Sequence, residues 1–509
     1  MLEHDLLNFN LDYCIMIFNI FLLTFVIYMF FQKIIEPMME LRHSQKQEVF
    51  CANTEKTYFQ YFLKVCIIQI ICWLPVFLAY YPGLFAYDVM SQIPQQMGSY
   101  NSHHPLIHTL YLQFFYYFIG GDLFKNYNTG IALATITQMI VFSAMISYVH
   151  LYLFSINVKK SIRYLLIALV SLLPEFSMLA ISMTKDTFFA GSVGLLITGL
   201  GYECKNSEVL EKVSLHKVIY IFAIILTILF RNNGIYPVIV LAGAILVQSI
   251  IKKRYRFFIQ TLLGIVLGMI ISLMLQNGLN ASKGSLNEAL NLPYQQIACA
   301  YMENKDTMST EDIDAVFKII PDVERYNPHI SDPIKFTAHG DIYLKDLIGL
   351  YLKFLMKYFN SYLRAFSNLN AGYLGLSDVS FAEIYGTTSR QGIFLTDTKE
   401  GFNITHHTYL PWIENLYEYL YTSNKYEMII GLNILCSPAF YFWIMVSFML
   451  YGIVEKGYDI IPIVLFMTTF LLTLLAGPCV LSRYALPYII SIPVVGTCAL
   501  ESNIKSTGG

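Results

Sequence analysis

Runs of about 20 apolar residues recur along the chain, and this feature limits the fold more than any other. A helix of that length crosses the hydrocarbon core of a bilayer. Of the 509 residues, 56% are hydrophobic and only 13% charged. We therefore expect an all-α, polytopic membrane protein with about 11 transmembrane helices. The predicted spans are 12–31, 62–81, 128–154, 164–183, 187–202, 217–231, 234–251, 257–276, 428–451, 459–477 and 484–500.

Basic residues cluster in alternate loops, for example at 159–163 and in "KKRYR" at 252–256. The positive-inside rule assigns such loops to the cytoplasm. The N-terminus is then outside the cell membrane and the C-terminus cytoplasmic. The apolar segment 105–121 would reverse every later loop if it were a span. We therefore predict that it is a helix lying at or dipping into the outer surface, with Pro105 in its first turn.

These spans divide the chain into four parts. The predicted parts are 1–61, an N-terminal transmembrane helix and cytoplasmic loop; 62–276, a transmembrane domain with an outer catalytic loop at 82–127; 277–427, an extracytoplasmic domain; and 428–509, the C-terminal transmembrane helices. The acidic start "MLEHDLLNFNLDY" does not resemble a cleavable signal peptide.

The polar region 277–427 is predicted to be mainly helical, with one helix beginning at Ser309-Thr310. Its Asp312 and Asp314 imitate the acidic motif of nucleotide-sugar enzymes, but acidic residues are expected in the first turn of a helix. The sequence has no GxGxxG motif, no GxxxxGK motif and no nucleophile elbow. It also has no clear internal repeat, which disfavours a secondary transporter.

The stretch "PGLFAYDVM" places Asp88 shortly after an apolar run and a Pro82-Gly83 turn signal. A carboxylate beside a membrane serves as a general base when its surroundings tune its pKa. Aspartate is also a favoured residue at a helix N-terminus. The sequence leaves both roles open for Asp88.

Two histidine pairs are expected on the outer side. His103 and His104 are candidates to bind a metal or a phosphate or to orient Asp88, whereas the alternative is a solvated loop. His406 and His407 form the second pair. The enrichment of histidines in the predicted outer regions favours a polar site there without identifying its ligand.

Basic residues at outer membrane edges oppose the usual charge bias and are therefore informative. Lys185, Arg231 and Arg483 each lie beside a predicted span on that side. Arginine makes bidentate contacts with phosphate, although snorkelling to the interface is a common alternative. Together they favour an anionic ligand. Glu175, which follows Pro174, is expected in an outer re-entrant segment at 174–186.

The motifs "PGLFAYD", "HHP", "KD", "RNNG" and "SRY" resemble a bacterial family of multispan membrane proteins related to the GT-C superfamily of lipid-linked-sugar glycosyltransferases. The resemblance covers most of 62–500, and its most specific part is 80–108. In that superfamily an outer-loop carboxylate acts as the catalytic base or activates the acceptor, and basic residues hold the phosphate of a polyprenyl-phosphate sugar. The carboxylate usually follows the first span, whereas here it follows the second, so 12–31 would be an extra helix.

The resemblance implies an inverting glycosyltransferase with a GT-C-like fold and an extracytoplasmic active site. Its donor would be a polyprenyl-phosphate-linked sugar, and its acceptor a cell-envelope glycan, lipid or protein. No cofactor is specified, and the need for a divalent metal is left open. The candidate catalytic residues are Asp88, His103 and His104. The candidate substrate-binding residues are Lys185, Asp186, Arg231, Asn232, Arg483, Tyr484, His406 and His407.

Two other functions remain as alternatives. A flippase or transporter for a lipid-linked saccharide should carry charges deep in several spans. A non-catalytic envelope scaffold would use 277–427 to bind a partner protein. The formal net charge of −2 gives no sign of a nucleic-acid partner.

Overall fold

The computed structural model describes residues 55–84, 87–204, 214–375, 402–422, 429 and 431–500. Helices dominate these residues, and the only β-type pairings among them are isolated bridges. The first half contains α1 (Glu55–Ala79), α2 (Tyr87–Gln92), α3 (Leu106–Gln113), α4 (Tyr127–Ser155), α5 (Lys160–Leu172), α6 (Pro174–Ile181), α7 (Lys185–Cys204), α8 (Ser214–Phe230), α9 (Ile235–Lys252) and α10 (Arg256–Gly278).

The second half begins with short helices and ends with long apolar ones. It contains α11 (Asn291–Asn304), α12 (Thr310–Ile319), α13 (Asp332–Lys335), α14 (Leu344–Lys357), α15 (Phe359–Leu369), α16 (Ala371–Leu374), α17 (Pro411–Thr422), α18 (Leu432–Leu435), α19 (Pro438–Lys456), α20 (Ile461–Leu475) and α21 (Ser482–Leu500).

Six helices of the described residues are long and apolar enough to cross a membrane, or up to seven if the bent pair α5–α6 is one span. The architecture therefore fits an α-helical membrane protein, but the predicted count of about 11 spans is wrong for the described chain. The predicted span 12–31 lies outside the described residues. The six are α1, α4, α9 with the short turn before it, α10, α19 and α21.

Length explains two of the five predicted spans that are not among the six. The runs predicted at 217–231 and 459–477 form α8 and α20, which have 17 and 15 residues. At 1.5 Å per residue they reach roughly 22–26 Å, less than the roughly 30 Å hydrocarbon core. The run predicted at 187–202 forms α7, which is not one of the six. Because the sidedness was inferred by counting spans, it stays a prediction.

The helices alternate in direction, so their ends form two opposite clusters. Helix α7 begins at Lys185 and ends at Cys204, whose thiol donates to the Asp459 carbonyl oxygen. The Asp459 side chain forms an ion pair with Lys252 at the far end of α9. The basic loop at 252–256 thus lies at the opposite end of the helices from Lys185.

Most of the apolar helices share one large core. Its buried members come mainly from α1, α4, α6, α7, α8, α9, α19, α20 and α21, and include Trp73, Phe142, Phe189, Phe466 and Tyr488. In contrast, α10 is mostly exposed along its length, as expected for a helix surrounded by lipid.

A second, smaller core joins α11–α15 in the region predicted to be an extracytoplasmic helical domain. The predicted helix start is confirmed, because Ser309 caps α12 by accepting a hydrogen bond from the Asp312 amide. The buried Asp312 carboxylate pairs with Lys353 at 2.5 Å and Lys357 at 3.8 Å. Asp312 therefore has structural contacts that explain its presence. We call residues 279–375 the helical domain.

The segment predicted to be a surface helix at 105–121 is helical from Leu106 to Leu123, with α3 continuing as a π-helix from Phe114. It is not among the candidate spans. Pro105 occupies the N-cap position rather than the first turn. Phe118 is half exposed, as an aromatic side chain at a lipid interface would be.

Glu175 is buried in α6, directly after a bend of 55° between α5 and α6. Pro174 starts α6 because it lacks the amide hydrogen that a continuous helix would need at this point. This geometry fits a broken span and a re-entrant segment equally. The predicted re-entrant segment at 174–186 therefore stays a prediction.

Candidate functional site

Charged side chains meet where several helices begin or end on one side of the fold. Asp88 lies in the first turn of α2, and Lys185 and Asp186 start α7. Arg231 directly follows α8, and Arg483 lies in the first turn of α21. We call these five residues, together with His104, the charged cluster.

Backbone pairing explains why Asp88 and Lys185 meet. Leu84 and Ser182 form an isolated parallel bridge a few residues before each of them. The Leu84 amide donates to the Ile181 carbonyl oxygen at 2.9 Å, and the Met183 amide donates to the Leu84 carbonyl oxygen at 3.0 Å. The bridge fixes the two chain segments side by side just before α2 and α7 begin.

Gly83 permits this close approach. Its φ is +126°, a value that residues with a side chain rarely adopt. A Cβ atom at this position would lie only 2.2 Å from Thr135 Oγ1. The Thr135 hydroxyl donates to the Pro82 carbonyl oxygen at 3.0 Å, so the turn rests directly on α4.

Asp88 and His104 share one lysine. Lys185 Nζ lies 3.0 Å from Asp88 Oδ2 and 2.9 Å from His104 Nδ1. Since the lysine ammonium can only donate, His104 Nδ1 accepts and the imidazole is neutral. Burial and the neighbouring lysine lower the pKa of His104 to about 3. Asp88 pairs with Lys185 and also lies in the first turn of α2, so both roles considered for it stay predictions.

The surroundings strongly favour the ionised form of Asp88. Burial alone would raise the pKa of its carboxyl group. The positive charges of Lys185 and Arg483 oppose this effect, so that the pKa lies well below its usual range. At neutral pH, Asp88 is therefore an ionised but weakly basic carboxylate.

Arg483 joins Asp88 to a second acidic residue. Its Nη1 lies 3.7 Å from Asp88 Oδ2, and its Nε lies 3.4 Å from Asp186 Oδ2. Arg231 Nη1 lies 3.2 Å from Asp186 Oδ1. A guanidinium group carries several N–H donors in a planar fork, so it can face a carboxylate and a second anion at the same time.

The charges within the cluster are not balanced. Three cations, Lys185, Arg231 and Arg483, face the carboxylates of Asp88 and Asp186. With His104 neutral, the cations exceed the carboxylates by one. Because the Asp186 and Arg483 side chains are almost fully buried, this excess would attract an anion more strongly than an exposed charge would.

An aromatic ring supports the two arginines. The guanidinium carbon of Arg231 lies 4.3 Å from the centre of the Tyr484 ring, and that of Arg483 lies 5.3 Å from it. Such cation–π contacts orient a guanidinium group without using its hydrogen-bond donors. Tyr484, a predicted substrate-binding residue, thus lies against the charged cluster.

The remaining predicted residues have other contacts. The Asn232 amide donates to the carbonyl oxygens of Ser102 and His103 and so fixes the loop before His104. The His103 ring lies edge-on to His104, with centroids 4.4 Å apart. Its Nδ1 is 3.8 Å from Glu288 Oε1 in the helical domain.

The second histidine pair is held by different partners. His406 Nε2 lies 2.5 Å from Glu414 Oε1 in α17. The His407 backbone pairs with Tyr81. Among the described residues, these contacts do not join His406 and His407 to the charged cluster.

Sequence reasoning gave no role to His108, which lies fully buried behind His104. Its Nδ1 is 3.1 Å from Gln92 Oε1, and the Gln92 amide donates to Thr109. Burial lowers the pKa of His108 to about 3. The available signal in the sequence was its place in the short stretch 103–108, which also holds His103 and His104.

Within the described residues, no group of three or more histidine, cysteine, aspartate or glutamate side chains is arranged to hold a metal ion. In the cluster, both carboxylates already face cations. The donor set therefore suits an anion better than a divalent metal.

Residues 93–346 match the sequence model of a family of unknown function, DUF6020. The matched region includes Lys185, Asp186 and Arg231, begins shortly after Asp88 and ends before Arg483. No curated protein matches the chain. No solved structure matches it.

Proposed function

We propose that the protein is an integral membrane glycosyltransferase that moves a sugar from a polyprenyl-phosphate carrier to a cell-envelope acceptor. The observation that carries this proposal is the bridging position of Arg483 between Asp88 and Asp186, with Lys185 and Arg231 beside them. This arrangement combines a carboxylate with three cations at the ends of apolar helices.

The cations suit a lipid-borne phosphate. They lie at the ends of α7, α8 and α21, of which α21 is long and apolar enough to cross a membrane, so we expect the headgroup of a membrane lipid to approach them. Guanidinium groups fit phosphate oxygens in a bidentate manner, and the Tyr484 ring orients both of them. In the proposed reaction, Lys185, Arg231 and Arg483 stabilise the charge on the departing polyprenyl phosphate.

Asp88 is the proposed base. An acceptor hydroxyl oxygen attacks the anomeric carbon, the bond from that carbon to the phosphate oxygen breaks, and the hydroxyl proton moves to Asp88. The leaving polyprenyl phosphate keeps the electron pair of the broken bond. A single displacement of this kind inverts the configuration of the anomeric carbon.

The ion pairs of the unliganded cluster suggest how the base becomes active. Lys185 and Arg483 hold the Asp88 pKa low, which makes the carboxylate a poor proton acceptor. A bound phosphate would compete for the same two cations. The pKa of Asp88 would then rise towards a useful range, so donor binding itself would activate the base.

The grouping of charges at helix ends favours transfer over flipping. A flippase needs polar groups along a path through the bilayer. In the described residues, the members of the charged cluster lie at one end of the helices. Glu175 is a buried acidic residue within α6 and lies outside the charged cluster. A transport assay must therefore test whether it serves a path through the bilayer.

The deciding experiment uses purified protein in proteoliposomes with a radiolabelled polyprenyl-phosphate sugar. We expect sugar transfer by the parent protein and at least about 100-fold less by Asp88→Asn, with Asp122→Asn as an exposed carboxylate control. Donor flipping without transfer by the parent protein would establish the transporter instead. Transfer retained by Asp88→Asn would exclude Asp88 as the base.

A further inference from the structure

Helix α14 of the helical domain is apolar on two faces. One face packs inward, where Leu347, Leu350 and Phe354 are buried in the core of the domain. A globular helix normally has one such face and a polar one opposite it. The second apolar face of α14 therefore needs a separate explanation.

This second face forms a regular stripe. Leu344, Ile348, Leu352 and Met356 follow one another at intervals of four residues, which places them along one side of a helix. Their exposed fractions are 38%, 51%, 54% and 86%. Four large apolar side chains in a row on a water-facing surface are unusual and commonly mark an interaction site. We call them the α14 stripe.

Positive charges accompany the stripe. Lys345 lies within it, and Lys353 and Lys357, which are half exposed and also pair with Asp312, lie along one edge. Asp346 is the only acidic residue of this helix. An exposed apolar face with lysines at its edge is the pattern of a helix that lies in the headgroup region of a membrane.

The helical domain is also held close to the ends of the apolar helices. The Ser331 amide donates to the Pro478 carbonyl oxygen at 2.9 Å. The Asn370 side chain donates to the Leu475 carbonyl oxygen, at the end of α20, at 3.0 Å. Helix α14 lies between these two anchors in the chain, so the domain that carries it is attached to the end of α20 and to the segment that leads into α21.

We infer that the α14 stripe inserts into the headgroup region of the phospholipid bilayer that surrounds the protein, with Lys345 facing anionic headgroups and Lys353 and Lys357 at the edge of the stripe. The observations that carry this inference are the two-faced apolar character of α14, its lysines and the anchoring of its domain. The inference does not depend on the proposed sugar transfer.

The test attaches an environment-sensitive bimane fluorophore to a cysteine at 356 (Met356→Cys), with the full-length protein in nanodiscs that hold one copy each. A matched variant carries the fluorophore on the exposed face of α12 (Glu311→Cys). Parent protein treated identically gives the signal from the native cysteines, which is subtracted. Leu352→Cys provides a second stripe position if the first variant does not fold.

We expect lipids brominated near the headgroup to quench the fluorophore at 356 strongly and the one at 311 weakly. Quenching at 356 should decrease when Leu352 is replaced by glutamate, because the charge opposes insertion. It should also be stronger in discs with phosphatidylglycerol than in discs with phosphatidylcholine alone.

Equal quenching at 356 and 311 would overturn the inference. Quenching that does not depend on phosphatidylglycerol would overturn the role given to the lysines. Discs loaded with two copies give a further comparison. A blue shift of the fluorophore emission that occurs only in these discs, without quenching by brominated lipid, would assign the stripe to contacts between copies of the chain and would also overturn the inference.

Discussion

Lys185 Nζ lies 3.0 Å from Asp88 Oδ2, although the two residues are 97 positions apart in the chain. The ion pair is half of a larger arrangement, because the same lysine also donates to His104. It connects two of the motifs found in the sequence, "PGLFAYD" and "KD". Its consequences for activity can be tested residue by residue.

Replacing Asp88 by asparagine keeps the shape of the side chain and removes the proposed base. We expect sugar transfer to fall about 100- to 10,000-fold, the usual contribution of a general base. Thermal stability should also fall, because the neutral amide no longer balances the buried cations Lys185 and Arg483, so transfer is compared per folded molecule. Transfer rates and thermal midpoints of Asp88→Asn and Asp122→Asn, measured in parallel, check this. A large loss of stability with unchanged activity per folded molecule would contradict it.

Arg483→Lys keeps the charge but loses the planar fork that reaches both Asp88 and Asp186. We expect transfer to fall about 10- to 100-fold, because a charge-assisted contact contributes roughly 1.5–3 kcal/mol. The matched control is Arg163→Lys, at the far end of the helices. Equal, small effects of the two substitutions on kcat/KM would mean that Arg483 does not hold the donor.

The activity of the proposed base should depend on pH in two different ways. Asp88 must be ionised to accept a proton, so activity is lost as pH falls through its pKa. In the free protein the cations keep this pKa well below the usual carboxyl range. The acidic limb of kcat/KM should therefore lie at low pH. If the bound phosphate draws the cations away from Asp88, the acidic limb of kcat should lie at higher pH than that of kcat/KM. Acidic limbs at the same pH would disprove the activation of Asp88 by donor binding.

Stability should also fall in acid because of the buried histidines. The pKa of His104 and that of His108 are both about 3 in the folded protein, against an ordinary value of 6.5. Between these values the unfolded chain binds protons that the folded chain does not, so stability decreases as pH falls below 6.5. At pH 5, each histidine should contribute about 1–2 kcal/mol to this loss. His108→Gln should reduce the decrease in thermal midpoint between pH 7 and 5, and an unaltered decrease would contradict the assignment.

The turn at Gly83 gives a prediction about structure alone. Gly83→Ala forces a Cβ atom into Thr135 at a positive φ, and should destabilise the fold by about 1–3 kcal/mol. Gly98 also has a positive φ, +89°, but its surroundings leave at least 4 Å of open space around the position that a Cβ atom would take. Gly98→Ala therefore isolates the cost of backbone strain. Equal thermal midpoints for the two variants would show that the contact with Thr135 is unimportant.

The sequence predicted the helical character of the fold well, because long apolar runs have few structural alternatives to a helix. It predicted the number of spans poorly. Hydropathy does not distinguish the 15 residues of α20, which are too short to cross a bilayer unaided, from the 19 residues of α21, which are long enough. Nor does it reveal that Pro174 bends its run by 55°.

Several candidate site residues were predicted because each lies at the end of an apolar run. They lie together because those ends converge in the fold. Asp88, Lys185, Arg231 and Arg483 are all of this kind. His108 was not assigned a role because it lies inside a helix, where a buried histidine resembles any other core residue. The pairing of His406 with Glu414 depends on the geometry of one loop and of α17, which local sequence signals do not specify.

The attachment of the helical domain to Leu475 and Pro478 has a practical consequence for protein engineering. These two anchor points lie just before Arg483, on the segment that leads into α21. A chimera that exchanges the helical domain with that of a relative would replace only one side of this contact. Such an exchange should include residues 475–481 as well, so that the donor and acceptor atoms of the joint come from the same parent and the guanidinium group keeps its position.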